Sequence, residues 1–314
     1  LNRLTPDQLE AVHRHFPRPK FFIFGHARSG TTLLGRLARI HPEIHCDWQA
    51  QFFARGGPIP FLTAPDLLRW MKHPANHWTA SGDPVTVMVR VYCDFVLEAE
   101  AARAGKRIVG DKSTNGNADE AVRWLAAVYP DSSLVYIVRD GRDTVLSKRI
   151  QAFLDQPQFL ADRDRKIRAA VLREPRAFLE GRSSLFSRPW LVEAAEKWSK
   201  DVRSSVEAGR RLFGDRFLAV RYEDFLQDPP GQSLAMWSFL QASPPAGEWR
   251  ALVAAEMAEN PSADWHASGG TDFVSALPRG RAGVWKSLLT GGDRELFERI
   301  AGGELRQWGY EVMH

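Results

Sequence analysis

Two cysteines, Cys46 and Cys93, are all that 314 residues contain. That excludes a disulfide framework and a cysteine-built zinc site, and leaves two buried thiols in a reducing setting as the expectation. No apolar run approaches the roughly 18–20 residues of a membrane span. The opening stretch, LNRLTPDQLEAVHRHFPRPK, also lacks the hydrophobic segment of a signal peptide. It reads as an N-terminal helical extension over residues 1–19, with an amphipathic helix that stops before Pro17. A cytoplasmic, bacterial protein is expected, although the Leu start leaves an upstream anchor open. A strong excess of one charge is lacking as well: 42 basic against 38 acidic residues give +4, and no Lys/Arg block is interleaved with aromatics. Nucleic acid is therefore not an expected partner, whereas a small polyanion suits the mild basic excess. Repeats and low-complexity tracts are absent too.

What is present is a chain that is 44% hydrophobic, enough for one large core. Strand-like runs recur at KFFIFG (20–25), KRIVGDK (106–112), SSLVYIVRD (132–140) and FLAVRYEDF (217–225). Between them lie stretches with apolar residues at helical spacing, such as ADEAVRWLAAVYP and LVEAAEKWSKDVRSSVEAGRRLFG. Short apolar strands alternating with helices predict an α/β fold of three layers, a central parallel β-sheet flanked by helices. The whole chain, 1–314, reads as one domain. Residues 151–190, charged and broken by Pro, read as a helical excursion over the acceptor side of the site.

Ligands of such sheets bind beyond the carboxyl ends of the strands. Gly25–Thr32, Asp111–Lys112, Arg139–Asp140 and Tyr222–Asp224 each close a strand-like run. GHARSGTT supplies a turn of backbone N–H groups at a helix N-terminus, which favours an anion. Arg28 adds a planar cation, and Ser29, Gly30, Thr31 and Thr32 complete the turn and its hydroxyls. A Walker loop needs Lys where Thr31 stands, and it recruits magnesium; neither requirement is met by a recognisable residue here. In YIVRDGRDTVLSKR, Arg139 ends a strand and Ser147 follows about two helical turns later, so a second phosphate could sit between them.

Together these motifs resemble the sulfotransferases that use 3′-phosphoadenosine 5′-phosphosulfate (PAPS). The Arg-Ser-Gly-Thr-Thr loop is similar to the family's 5′-phosphosulfate loop, and the Arg139-to-Ser147 spacing matches its 3′-phosphate motif. VRYEDFLQDP (220–229) and PRGRAGVWKSLLT (278–290) resemble two later elements, in the family's order. The resemblance implies a P-loop NTPase-like fold, PAPS as co-substrate and no metal. It assigns Arg28, Ser29, Gly30, Thr31 and Thr32 to the 5′ side. Arg139, Ser147, Arg279 and Gly280 fall on the 3′-phosphate, with Arg281 as a further contact, and Tyr222 near the adenine. VGDKSTNG (109–116) resembles the strand end that presents a Lys to the transferring group, which makes Lys112 the candidate for stabilising the bridging oxygen.

The proton acceptor departs from the family pattern. The His that follows the strand-end Lys in cytosolic relatives is replaced by Thr114, and the Glu of tyrosylprotein-type relatives by Gln49. Asp47 is the first substitute, with a helix N-cap as its plainer reading; His26, His45 and His266 are further alternatives. The acceptor is expected to be a small-molecule, carbohydrate or lipid-type hydroxyl. Phe52, Phe53, Phe159 and Phe178 either line its site or belong to the core. A base-less nucleotide-binding relative and a P-loop kinase are the alternative readings.

Overall fold

Lys20–Gly25 (β1) is buried at every position. A strand with apolar side chains on both faces needs a layer on each side, and the computed structural model supplies both. It describes residues 2–53, 57, 59, 64–71, 73, 84–114, 119–259 and 281–312. In chain order the elements are α1 (Pro6–His13), β1, α2 (Thr31–Ile40), β2 (Ile44–Trp48), α3 (Pro65–Met71), α4 (Pro84–Arg103) and β3 (Ile108–Lys112). There follow α5 (Asp119–Val128), β4 (Ser133–Val138), α6 (Gly141–Asp155), α7 (Asp162–Arg173), α8 (Pro175–Leu179), α9 (Arg188–Phe213) and β5 (Phe217–Arg221). The chain closes with α10 (Tyr222–Gln227), α11 (Pro229–Phe239), α12 (Trp249–Ala258), α13 (Trp285–Leu288) and α14 (Gly291–Gln307).

The strands pair in the order β2-β3-β1-β4-β5, and every pair is parallel. Alternation along β1 sends Phe21 and Ile23 to one face and Phe22 and Phe24 to the other. The first face packs against Leu34 and Leu37 of α2, Trp237 of α11 and Val253 of α12. The second packs against Val89 and Cys93 of α4, Leu125 of α5, Trp198 and Val202 of α9 and Phe297 of α14. This is the three-layer architecture that the strand and helix pattern predicts, with the P-loop-like form that the resemblance implies. β1 lies between β3 and β4, so the loop that leaves it has the end of β3 on one side and the end of β4 on the other.

β2 is the strand that the four apolar runs do not reveal. It is a five-residue edge strand in which Ile44 and Cys46 face the α2 layer, while His45 and Asp47 alternate to the other side. Asp47 is thus a strand residue, not a helix N-cap. Both cysteines are buried free thiols, as expected, and burial pushes both well above the usual thiol range.

The excursion after residue 151 is helical, with α6 running on to Asp155 and α7 and α8 following. One buried guanidinium anchors it. Arg149 donates from Nε to the Leu185 carbonyl at 2.8 Å and pairs with Asp164 of α7. Its Cζ lies 4.7 Å from the centre of the Phe153 ring and 4.6 Å from that of Trp190. Phe52, Phe53 and Phe178 are core residues, whereas Phe159 is largely exposed. Among the described residues no helix is long and apolar enough to cross a membrane.

Candidate active site

The turn after β1 owes its shape to two left-handed residues, Arg28 (φ 73°) and Gly30 (φ 99°). Gly30 caps α2, and a Cβ there would stand 2.4 Å from Cδ2 of Tyr222, so only glycine lets that ring close over the turn. The Ser29 N–H donates to the His26 carbonyl at 3.0 Å, tightening the turn. Its hydroxyl Oγ is buried and without a hydrogen-bond partner among the described residues.

Arg28 joins the two anion-binding motifs that the sequence shows separately. Its Nε donates to Ser147 Oγ on α6 at 3.1 Å. Arg139, leaving β4, donates from Nη1 to the Arg28 carbonyl and from Nη2 to the Arg281 carbonyl, each at 3.2 Å. Its guanidinium lies 4.7 Å from the centre of the Tyr222 ring, and its Nε is buried without a partner among the described residues. Burial and the neighbouring Arg139 charge lower the Arg28 pKa, with Asp155 opposing them. Two guanidiniums held this close repel each other, a cost that an anion between them removes.

The late sequence element comes to the same place. Asp143 of α6 accepts from the backbone N–H of Gly283 at 2.7 Å and of Trp285 at 2.9 Å, and Arg142 lies 3.6 Å from the centre of the Trp285 ring. Asp143 has no counterpart among the sequence candidates, although its place in the Arg139–Ser147 motif is a signal in hindsight. Arg279, Gly280 and His266 lie outside the described residues.

Across the loop, on the β3 side, Lys112 is 1% exposed. Its Nζ donates to Thr32 Oγ1 at 3.3 Å and to Gln49 Oε1 at 3.2 Å. Burial lowers its pKa, with the Asp111 charge opposing. The structure therefore brings together Arg28, Ser29, Gly30, Thr32, Lys112, Arg139, Ser147 and Tyr222, with Thr31 buried in the first turn of α2. Asp47 is not among them. It lies on the opposite face of the sheet from Lys112, one strand away, where its Oδ1 is 2.9 Å from His45 Nε2.

A different histidine is built into the loop. His26 is 4% exposed, and its Nδ1 is 3.0 Å from Asp201 Oδ2 on α9, which also accepts from Lys197 at 2.8 Å. Burial holds the imidazole below its usual pKa; hydrogen bonding and charge from Asp201 oppose this, while Lys148 and Lys197 add to it. Nothing in the sequence links positions 26 and 201.

A sequence model described as the sulfotransferase family matches residues 19–243, which cover β1 to the end of α11 and so both motifs and Lys112. The chain belongs to the sulfotransferase family. It is a transferase, and the P-loop kinase alternative ends here. Similar solved structures include mouse sulfotransferase SULT7A1 complexed with PAP, at 17% identity, covering 96% of this chain and 90% of that one with a TM-score of 0.50. Others are the sulfotransferase domain from the Synechococcus PCC 7002 olefin synthase (15% identity, 94% and 96% covered, TM-score 0.49) and a sulfotransferase from Alicyclobacillus acidocaldarius (22%, 77% and 93%, 0.41). The likeness to the mouse enzyme supports the sulfotransferase fold. No curated protein gives a significant match.

Proposed function

We propose that this sulfotransferase takes its sulfuryl group from PAPS and passes it to an acceptor hydroxyl, less readily an amine, leaving adenosine 3′,5′-bisphosphate (PAP). The observation that carries this reading is the junction of Arg28, Ser147 and Arg139, which makes one cationic site of the loop and the start of α6. A nucleotide with a phosphate at each end fits such a site better than one with a single phosphate cluster. Two buried donors without described partners, Ser29 Oγ and Arg139 Nε, fit an anionic ligand there. The mouse enzyme's complex with PAP supports the same ligand.

When bound, PAPS supplies an activated sulfuryl group on a phosphate oxygen. The loop amides, Ser29 and Thr32 hold its 5′ side, and Arg139 and Ser147 hold the 3′-phosphate. Tyr222, stacked under Arg139, borders the adenine. Lys112 and Arg28 place positive charge where the bridging oxygen gathers its electron pair as the sulfur–oxygen bond breaks. The acceptor is a small-molecule, carbohydrate or lipid-type alcohol or phenol. Incubation with PAPS and a panel of phenols, alkyl alcohols and sugars, in EDTA, is expected to yield PAP in proportion to acceptor. Product only with added divalent metal would contradict the reading.

Two pairs have the chemistry to take the acceptor proton: Asp47 with His45, and His26 with Asp201. The second keeps a buried imidazole neutral near pH 7, with Nδ1 turned to a carboxylate, the polarity a general base needs. Asp47→Asn and His26→Asn separate them. Loss of the base is expected to lower kcat about 10²–10⁴-fold, and the other variant to remain near wild type. If neither loses that much, the base lies outside both pairs.

A further inference from the structure

Between β2 and the buried Phe52 and Phe53 the chain makes a three-residue turn with an unusual backbone. Gln49 (φ 62°) and Gln51 (φ 54°) are both left-handed, and neither is glycine. Side-chain-bearing residues stay in that region only where their surroundings impose it. Here the end of β3 does so. The Ala50 N–H donates to Asp111 Oδ1 at 2.9 Å, and the Gln51 N–H donates to Ser113 Oγ at 3.0 Å. The Ser113 hydroxyl in turn donates to Asp111 Oδ2 at 2.6 Å, a short charge-assisted bond. Beyond the turn, Phe53 packs edge-on against Phe22 of β1 with ring centres 5.5 Å apart. What the turn presents is the Gln49 side chain, whose Oε1 accepts from Lys112 Nζ.

Lys112 and Asp111 are neighbours in sequence but alternate to opposite faces of the sheet. Asp111 is thus a carboxylate 1% exposed, facing away from the ammonium beside it. A buried carboxylate held by a backbone amide and a serine hydroxyl is expensive as a purely structural element. Its arrangement makes sense as a clamp on the turn that carries Gln49.

We infer that Asp111 and Ser113 are positioning residues: they lock the turn 49–51 and, through Gln49, fix the Lys112 ammonium at the reacting centre. This rests on the assignment of Lys112 to the transferring group made above. It also gives position 49 a use although Gln cannot serve as a base: its carbonyl orients the catalytic cation.

The clamp responds to pH. Burial pushes Asp111 up to about 6, Asp47 of β2 adds to this, and the Ser113 and Ala50 hydrogen bonds and the Lys112 charge oppose it. Among the described residues, the thiols of Cys46 on β2 and Cys93 on α4 also feel the Asp111 charge. They stay neutral, being held well above the usual thiol range. The Ser113 and Ala50 hydrogen bonds favour the ionised carboxylate, so the charge-assisted clamp weakens as Asp111 takes up a proton around pH 6. Protonation removes the negative charge that strengthens the bonds from Ser113 and Ala50, and the turn loosens.

Asp111→Asn keeps the shape and imitates the protonated state at every pH. It is expected to lower transfer from PAPS to a probe phenol, 2-naphthol, about ten- to a hundred-fold at pH 7.5. It should also remove the part of the acid limb that falls near pH 6, leaving any limb from the general base, and leave the dissociation constant for PAP unchanged. Hydrogen exchange of the Ala50 and Gln51 amides, which needs no acceptor, should lose protection in Asp111→Asn. In the wild type, protection should fall between pH 7.5 and 5.5 after correction for intrinsic rates. Ser113→Ala is expected to behave likewise and Ser113→Thr to restore it, which keeps the test decisive if Asp111→Asn does not fold. Wild-type turnover and protection in Asp111→Asn or Ser113→Ala overturn the inference, as does a parallel loss of PAP affinity. Failure of the wild-type protein to bind PAP at all would instead overturn the proposed function.

Discussion

Lys112→Ala is expected to lower turnover about 10²–10³-fold, the range for removing one preorganised donor from a site of developing charge. The size of the effect follows from burial. The Lys112 side chain is withdrawn from water, and its ammonium is aimed by Thr32 and Gln49 rather than by solvent. A fixed charge in such surroundings acts without solvent reorganisation when the bridging oxygen becomes anionic. PAP affinity should change little, because the charge is needed in the transition state more than in the product complex. Steady-state kcat at saturating PAPS, set beside calorimetric binding of PAP, checks this. An affinity loss as large as the rate loss would make Lys112 a binding residue. The lowered pKa adds a second mark: activity should decline on the basic side below the usual lysine range, as the ammonium gives up its proton.

The second large effect concerns affinity. Arg139→Ala is expected to weaken PAP binding by about 1.5–3 kcal/mol, the range for hydrogen bonds to charged groups, or roughly ten- to 150-fold. Binding of 5′-AMP, which lacks the 3′-phosphate, should weaken far less. Some general loss is built in, because Arg139 also holds the Arg28 carbonyl and covers Tyr222. The ratio between the two ligands therefore carries the assignment. Equal losses for PAP and 5′-AMP would place the 3′-phosphate elsewhere.

The parts of the site that were legible in the sequence are those built from contiguous stretches. β1, its loop and α2 form one strand–turn–helix run, and Arg139 to Ser147 is one strand end and two helical turns. Apolar runs flanked by helical periodicity marked β1, β3, β4 and β5 for the same reason. β2 escaped because His45 and Asp47 on one side leave it without an apolar run. That omission explains the reading of Asp47. Without a strand there, its plainer reading was a helix N-cap, whereas the twofold alternation of β2 sets it on the face of the sheet opposite Lys112. The turn after β2 gave no glycine or proline signal, since its left-handed residues are glutamines, in a turn that Asp111 holds at Ala50 and Ser113 at Gln51. Contacts such as His26 to Asp201 and Lys112 to Gln49 join distant positions, and only the assembled sheet and α9 create them.

Calorimetric titration with PAP and with ATP, each with and without magnesium, tests the central claim most directly. Arg28, Arg139 and Ser147 joined in one site predict tight binding of PAP that is independent of magnesium and much stronger than binding of ATP. A preference for magnesium-ATP, or PAP binding that needs the metal, would contradict the account.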